Sequence, residues 1–178
     1  MASAELTSHG VRRVLWITLG LNLVVSAAKI LVGTLSGSMA MVADGYHSLT
    51  DGANNVAGLV ITGYAYAPPD EGHPYGHRKF ETAATLALAL ALLSVAYHVI
   101  TQALSRSSAA AVPEIGLLAW AVMVVTLVVN MFVASYEARE GRKLQSSYLI
   151  ADSAHTRSDI YVTLGVIASF AGARAGVV

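Results

Sequence analysis

Cysteine is absent from this 178-residue sequence, and charged residues are scarce. Without thiols there are no disulfides, iron–sulfur clusters or thiolate ligands, so imidazole and carboxylate remain the strong ligands for a metal ion. Only 12% of the residues are charged, against about a quarter in soluble domains. Because 55% are hydrophobic, the composition favours a membrane protein. The 11 basic and 11 acidic residues balance, and nothing indicates a nucleic-acid partner.

Five long apolar stretches follow one another along the chain. A helix of about 20 residues rises about 30 Å, the thickness of the hydrocarbon core, so each stretch is long enough to span a membrane. The connecting segments are short. Residues 1–178 are therefore predicted to form one transmembrane domain, an all-α helix bundle, with no soluble C-terminal domain. The predicted spans are about 14–33, 38–65, 80–104, 115–136 and 147–170.

The orientation of the chain is predicted from its basic residues. With a cytoplasmic N-terminus, the inner segments hold Arg12, Arg13, Arg78, Lys79, Arg139, Arg142 and Lys143, and the outer side holds Arg106 and Arg174. This asymmetry follows the positive-inside rule. An alternative interpretation takes Arg12-Arg13 and the apolar residues after them as a signal peptide with a twin-arginine start. The apolar pattern continues past Lys29 to Gly33, however, which favours a span.

One polar pattern, Ala-Asp-x-x-His-x-x-x-Asp, occurs at residues 43–51 and again at 151–159. In each copy the histidine and the second aspartate are four positions apart, which places them on one face of a helix. Each helix is therefore predicted to present an imidazole and a carboxylate near the middle of its span. If the two helices pack side by side, the two pairs form a four-ligand cluster. The candidate ligands are His47, Asp51, His155 and Asp159.

Two imidazoles and two carboxylates match the donors of a tetrahedral zinc site. Co2+, Fe2+, Cd2+ or Mn2+ could use the same donors, because the order of affinities does not decide which metal binds. A central aspartate costs about 2.5–3.5 kcal/mol on membrane-insertion scales, so such residues indicate a functional site. The alternative is that polar side chains only join helices, as we expect for the solitary His98 and Asn130.

Two further polar residues are predicted to lie near this cluster. Asp44 and Asp152 each precede a motif histidine by three positions and are candidates for orienting the imidazole N–H groups. Lys29, in the first apolar stretch, either neutralises an aspartate or extends to the membrane interface.

A second group of candidate ligands lies between the second and third apolar stretches, where prolines and glycines predict a loop. Asp70, His73 and His77 could converge there on a metal ion, at the cytoplasmic end under the predicted orientation. A solvated, charged turn is an equally consistent interpretation of a short loop with two histidines.

In their order and spacing, these motifs resemble the cation diffusion facilitator family of zinc and divalent-metal transporters. The resemblance covers nearly the whole chain. Its stretches are Lys29-Ile-Leu-Val-Gly, Leu35-Ser-Gly-Ser-Met-Ala, Ala43-Asp-Gly-Tyr-His-Ser-Leu-Thr-Asp, His73-Pro-Tyr-Gly-His-Arg-Lys-Phe-Glu and Ala151-Asp-Ser-Ala-His-Thr-Arg-Ser-Asp.

The resemblance implies a secondary transporter that works by alternating access, as a homodimer in membrane lipid, and exchanges a divalent metal for protons. It implies that the four motif residues hold the transported ion, and it maps the loop site of some members onto Asp70, His73 and His77. Members that prefer manganese tend to lack this histidine pattern, so the resemblance favours Zn2+. Glu71 and Glu81 would add negative potential at the cytoplasmic side, where the metal enters. A bacterial inner membrane is the expected location.

The sequence departs from the family at its end. The family has a sixth transmembrane helix and usually a cytoplasmic C-terminal domain, whereas this sequence stops after Val178. The chain is thus expected to be a fragment or a short member, and the alternative function is a non-transporting membrane subunit that binds metal or a partner. Haem ligation by His47 and His155 is disfavoured, because haem does not need the paired aspartates. No enzymatic activity is predicted, since the metalloprotease pattern His-Glu-x-x-His is absent.

Overall fold

The computed structural model describes residues 2–37, 39–105 and 117–174, which form five α-helices. The helices are α1 (Ala2–Leu35), α2 (Met39–Ala65), α3 (Lys79–Ser105), α4 (Leu117–Leu144) and α5 (Ser147–Arg174). These ranges contain no strand, so the predicted all-α membrane bundle is confirmed. Within them, Glu5–Leu35 and Trp120–Leu144 are long and apolar enough to cross a membrane, with mean hydropathies of 1.9 and 1.7.

Two helices extend beyond the predicted spans by eight residues or more. α1 begins at Ala2, and α4 continues through Glu137 to Leu144, where the sequence predicts a connecting segment. The residues from 137 to 144 include strong helix formers (Glu, Ala, Arg and Lys), so the helix does not end where the apolar pattern ends. The predictions that involve residues 38, 115 and 116, Arg106 and the side chain of His98 lie outside the described residues.

The helices pack in a defined order. α1 lies along α2 and α4, α4 lies along α5, and α3 contacts both α5 and α2. α1 and α2 come very close at Gly45, where a Cβ atom would lie 2.6 Å from the Ile30 side chain. The Gly45 carbonyl there accepts a hydrogen bond from Ser26 at 2.7 Å. α2 and α5, which contain the two motif copies, have few close backbone contacts and face one another across a cavity.

The connection from α4 to α5 is tight. Gln145 adopts a left-handed conformation, with φ of 50°. The Ser146 N–H donates to the Gly141 carbonyl at 3.0 Å, which satisfies one of the free carbonyls at the end of α4. Two residues therefore suffice to reverse the chain between these helices.

The start of α5 is fixed by Glu81 from α3. The Ser146 hydroxyl donates to Glu81 Oε1 at 2.6 Å, and the Tyr148 N–H lies 3.4 Å from the same oxygen. A carboxylate at this place satisfies free N–H groups and complements the helix dipole. Glu81 is only 4% exposed and also lies 3.6 Å from Arg78 Nη2. The predicted role of Glu81 in attracting cations is therefore corrected to that of a helix cap. Glu71 is exposed, and its predicted role in attracting cations stays a prediction.

Candidate metal centre

The repeated motif places three ligand groups close together between α2 and α5. His155 Nε2 lies 3.1 Å from Asp51 Oδ1. One ligand atom from each of Asp51, His155 and Asp159 lies within 4.8 Å of the others. Donors about 2.0–2.2 Å from a tetrahedral zinc ion are about 3.4 Å apart, so a small contraction of this group would enclose an ion.

The fourth predicted ligand, His47, lies at the edge of the group. Its Nε2 is 3.7 Å from Asp159 Oδ1, and its side chain is 48% exposed. The motif residues thus meet as two pairs that cross between the helices, His155 with Asp51 and His47 with Asp159. The sequence spacing predicts a shared face on each helix, and the structure adds that the short contacts run from one helix to the other.

These side chains line a cavity of about 590 Å³. Its wall on the α3 side is apolar, formed by residues such as Ala89, Leu92 and Ala96. Asn130 of α4, for which the sequence predicts a helix-joining role, lines the cavity. A water molecule occupies about 30 Å³ of liquid volume, so the cavity has space for an ion with part of its hydration shell.

Lys29 of α1 reaches the same cavity. Its Nζ lies 2.9 Å from Asp44 Oδ2 and donates a hydrogen bond to the Ser48 hydroxyl, also at 2.9 Å. Of the two roles predicted for Lys29, the structure shows the neutralisation of an aspartate. The ammonium group holds Asp44 through Oδ2, and the prediction that Asp44 orients an imidazole stays a prediction.

Asp152 joins a buried chain of side chains instead of an imidazole. Its Oδ2 accepts a hydrogen bond from Asn55 Nδ2 at 3.0 Å, and Asn55 Oδ1 accepts one from Asn22 Nδ2 at 2.9 Å. His155 Nδ1 has no hydrogen-bond partner among the described residues. The predicted orienting role of Asp152 is therefore corrected. Asp152 lies about one turn before His155, at the level of Asn55, and connects α5 to α2 and α1.

Glu137 of α4 is a buried acid that the sequence prediction missed. It is 1% exposed, lies beside Thr18 and Thr156, and its Oε2 has no hydrogen-bond partner among the described residues. The prediction failed because Glu137 follows the apolar stretch and looks like the start of a loop. A helical periodicity of small buried residues, which runs on through Ala134 and Gly141, was the signal that could have placed it inside.

The loop between α2 and α3 brings the second group of candidate ligands together. Asp70 Oδ1 lies 3.2 Å from His73 Nδ1, and Asp70 Oδ2 lies 3.3 Å from His77 Nε2. The two imidazole rings are 4.4 Å apart between centroids. The backbone N–H of His73 donates to Asp70 at 2.7 Å and holds the pKa of this carboxyl below its ordinary value of 3.8. The loop therefore presents one ionised carboxylate and two imidazoles to a common point.

Residues 15–178 match the cation efflux transmembrane domain. The chain belongs to the cation efflux, or cation diffusion facilitator, family. The resemblance drawn from the motifs is thereby confirmed.

Several relatives of this cation efflux chain have curated names. It is 34% identical over 146 residues to an uncharacterized transporter of Methanocaldococcus jannaschii, covering 82% of this chain and 52% of the relative. It is 31% identical over 154 residues to the manganese efflux system protein MneP of Bacillus subtilis, with coverages of 86% and 51%. It is 32% identical over 167 residues to metal tolerance protein C1 of Arabidopsis thaliana, with coverages of 85% and 36%. The chain thus spans about half the length of these relatives, or less.

Proposed function

We propose that this cation efflux chain is the membrane-embedded part of a secondary transporter that moves Zn2+ out of the cytoplasm in exchange for protons. The observation that supports it is the pair of cross-helix contacts, His155 with Asp51 and His47 with Asp159, around one cavity. Because α2 and α5 each contribute half of the ligands, a movement of one helix against the other changes the site. A transporter needs such a change to bind an ion on one side and release it on the other.

The choice of Zn2+ follows from the donors. Imidazole nitrogen suits zinc, whereas Mn2+ prefers a site made of carboxylate, carbonyl and water oxygens. Half of the proposed ligands are imidazoles. MneP, at 31% identity, is named for manganese efflux, so Mn2+ is the competitor against which zinc has to be tested. Co2+, Fe2+ and Cd2+ are further ions that such donors accept.

Proton exchange follows from the charges of the site. Zinc is bound by deprotonated carboxylates and neutral imidazoles, so metal and protons compete for the same atoms. The carboxylates of Asp51 and Asp159 together balance one divalent ion. Once that ion leaves, two negative charges remain in a membrane-embedded cavity, which favours proton uptake. Histidine changes its charge near physiological pH, so imidazole is suited to this exchange.

The loop group of Asp70, His73 and His77 is proposed as a second, weaker metal site at the cytoplasmic end. Its ionised carboxylate and its two nearby imidazoles support this assignment. The cytoplasmic N-terminus is proposed from the distribution of basic residues. A homodimer in a bacterial inner membrane is proposed from the family resemblance.

Calorimetric titration of the purified chain in detergent with Zn2+, and separately with Mn2+, tests the site. The wild-type chain should bind Zn2+ with high affinity, and the double variant His47→Ala/Asp159→Ala should lose this event. Asp70→Ala is the matched control and should lose only the weaker loop event. Equal zinc binding by the wild-type chain and the double variant would remove the cavity from the proposal.

Transport is tested by reconstitution into vesicles with a pH gradient. Zinc flux should depend on the gradient and disappear in the double variant. If zinc binds at the cavity and no flux occurs, the chain acts as a non-transporting membrane metal-binding subunit.

A further inference from the structure

The cavity that contains the candidate ligands also holds a fixed positive charge. Lys29 Nζ is bound between Asp44 Oδ2 and the Ser48 hydroxyl, each at 2.9 Å. The Lys29 side chain is only 6% exposed, whereas that of Asp44 is 50% exposed. A buried ammonium group repels a divalent cation, so its place beside a proposed cation site calls for a function.

Close packing between α1 and α2 fixes the backbone end of the Lys29 side chain. A Cβ atom on Gly45 would lie 3.1 Å from the Lys29 Cβ, so the two helices touch at this level. The bond from Ser26 to the Gly45 carbonyl, at 2.7 Å, holds the same contact one turn earlier on α1. Because the rest of the Lys29 side chain is also buried, its ammonium group is held beside Asp44 and Ser48.

The residue that Lys29 neutralises faces the metal site. Asp44 precedes His47 by three positions and Asp51 by seven, so all three lie on one face of α2. All three line the same cavity. Without Lys29, the half-exposed Asp44 would be a third free carboxylate in the cavity.

A third carboxylate would change both the charge and the chemistry of the site. With Asp44 neutralised, Asp51 and Asp159 give the cavity two negative charges, which one divalent ion balances. With Asp44 free, there are three negative charges and a larger share of oxygen donors. Oxygen-rich sites suit Mn2+ and other hard cations, and mixed imidazole sites suit Zn2+.

We propose that Lys29 determines metal selectivity: it holds Asp44 in an ion pair and so keeps this carboxylate from binding the transported ion. The site is thereby limited to two imidazoles and two carboxylates, which favours Zn2+ over Mn2+. This inference rests on the proposed function, because it requires the four-ligand site. It assigns Lys29 a role beyond joining α1 to α2.

The test is the ratio of the Zn2+ and Mn2+ dissociation constants, measured by calorimetry on the full chain in detergent. An Asp70→Ala background removes the loop event from the titration. Lys29→Met keeps the length and the apolar stem of the side chain but removes its charge. It should strengthen Mn2+ binding relative to Zn2+ by about 10-fold or more, because Asp44 becomes available as a further oxygen ligand.

Two further variants are matched to this one. Lys29→Met/Asp44→Asn removes both charges and should restore the wild-type ratio. Ser48→Ala removes the hydrogen bond to Lys29 but leaves the ion pair, and its ratio should equal that of the wild type. A Lys29 that only joined helices would shift stability in these variants without shifting the ratio.

An unchanged ratio of dissociation constants in Lys29→Met overturns the inference. An equal change of this ratio in Lys29→Met and in Lys29→Met/Asp44→Asn overturns it as well. If Lys29→Met does not fold, as judged by size exclusion and circular dichroism, Asp44→Asn decides. Asp44→Asn should weaken the binding of Zn2+ and of Mn2+ by the same factor. A change in the ratio of their dissociation constants would show that Asp44 is already a ligand, which contradicts the inference. Absence of zinc binding at the cavity of the wild-type chain refutes the proposed function itself. Zinc binding with an unmoved ratio refutes only the role of Lys29.

Discussion

Asn55 connects three helices, and replacing it with leucine should destabilise the bundle by about 2–3 kcal/mol. Asn55 is buried on α2, accepts a hydrogen bond from Asn22 of α1 at 2.9 Å and donates one to Asp152 of α5 at 3.0 Å. Leucine has the same number of side-chain heavy atoms as asparagine, so Asn55→Leu leaves no large cavity. Its two methyl groups add volume, and the comparison with Asn22→Leu, the same change at another buried asparagine, separates this packing cost from the lost hydrogen bonds.

The two bonds are unequal. A neutral hydrogen bond between membrane helices contributes about 0.6 kcal/mol on average, because the unfolded chain in a membrane also finds partners. A hydrogen bond to an ionised carboxylate contributes about 1.5–3 kcal/mol, so the bond to Asp152 reaches this value at a pH where its carboxyl is ionised. Asp152 is only 3% exposed, so water cannot replace the lost donor. Most of the effect of Asn55→Leu should come from the loss of the hydrogen bond to Asp152.

Reversible unfolding in mixed micelles, followed by circular dichroism, measures the difference. Asn22→Leu should lower the free energy of unfolding by about 0.6 kcal/mol, well below the effect of Asn55→Leu. In an Asp152→Asn background, Asn55→Leu should have a much smaller effect than in the wild type, since the charged partner is gone. Equal and small effects of Asn22→Leu and Asn55→Leu would refute the reasoning that the carboxylate bond dominates.

Three other perturbations have defined outcomes. Gly58→Val should lower the melting temperature, because even a Cβ atom there would lie 2.4 Å from the buried Tyr148 ring, and overpacking costs about 1–3 kcal/mol. Gly63→Ala, with nothing within 4 Å of its Cβ position, is the control that should not lose stability. Glu137→Gln should be at least as stable as the wild type near pH 7, since it keeps the shape of a buried carboxyl without its charge; a large loss in thermal unfolding would show that the charge is required. The Asp70 carboxyl should titrate by NMR with a midpoint below 3.8. Its contribution to the stability of the loop is therefore complete above pH 3.8 and is lost as the pH falls through the depressed pKa. A midpoint at or above 3.8 contradicts this.

The repeated motif was enough to predict which helices contain the candidate site, because the spacing of His and Asp depends only on helix geometry. The partners of each ligand depend on the register between α2 and α5. That register is set by distant packing, such as the fit of Tyr148 against Gly58 and its hydroxyl bond to the Asn54 carbonyl at 2.6 Å. No local pattern encodes it. The cross-helix pairing of His155 with Asp51 therefore could not be predicted from the sequence.

Acidic residues at the ends of apolar stretches were the hardest to interpret. Glu81 and Glu137 both look like solvent-exposed boundaries in the sequence, yet both are buried. Glu81 is buried because it caps another helix, and Glu137 because α4 continues past its apolar stretch between α1 and α5. Both contacts are tertiary. Hydropathy reports the composition of a segment and not the neighbours that it meets.

The Glu81 cap makes the start of α5 a fulcrum. His155 and Asp159 lie about 12 Å and 18 Å along the helix from Ser147, at about 1.5 Å per residue. A tilt of about 5° around that point would move them by about 1.0 Å and 1.6 Å. Metal–ligand distances tolerate only about 0.2 Å. A tilt of a few degrees therefore leaves the packing at the start of α5 intact. The same tilt moves His155 and Asp159 far enough to form or break coordination of an ion.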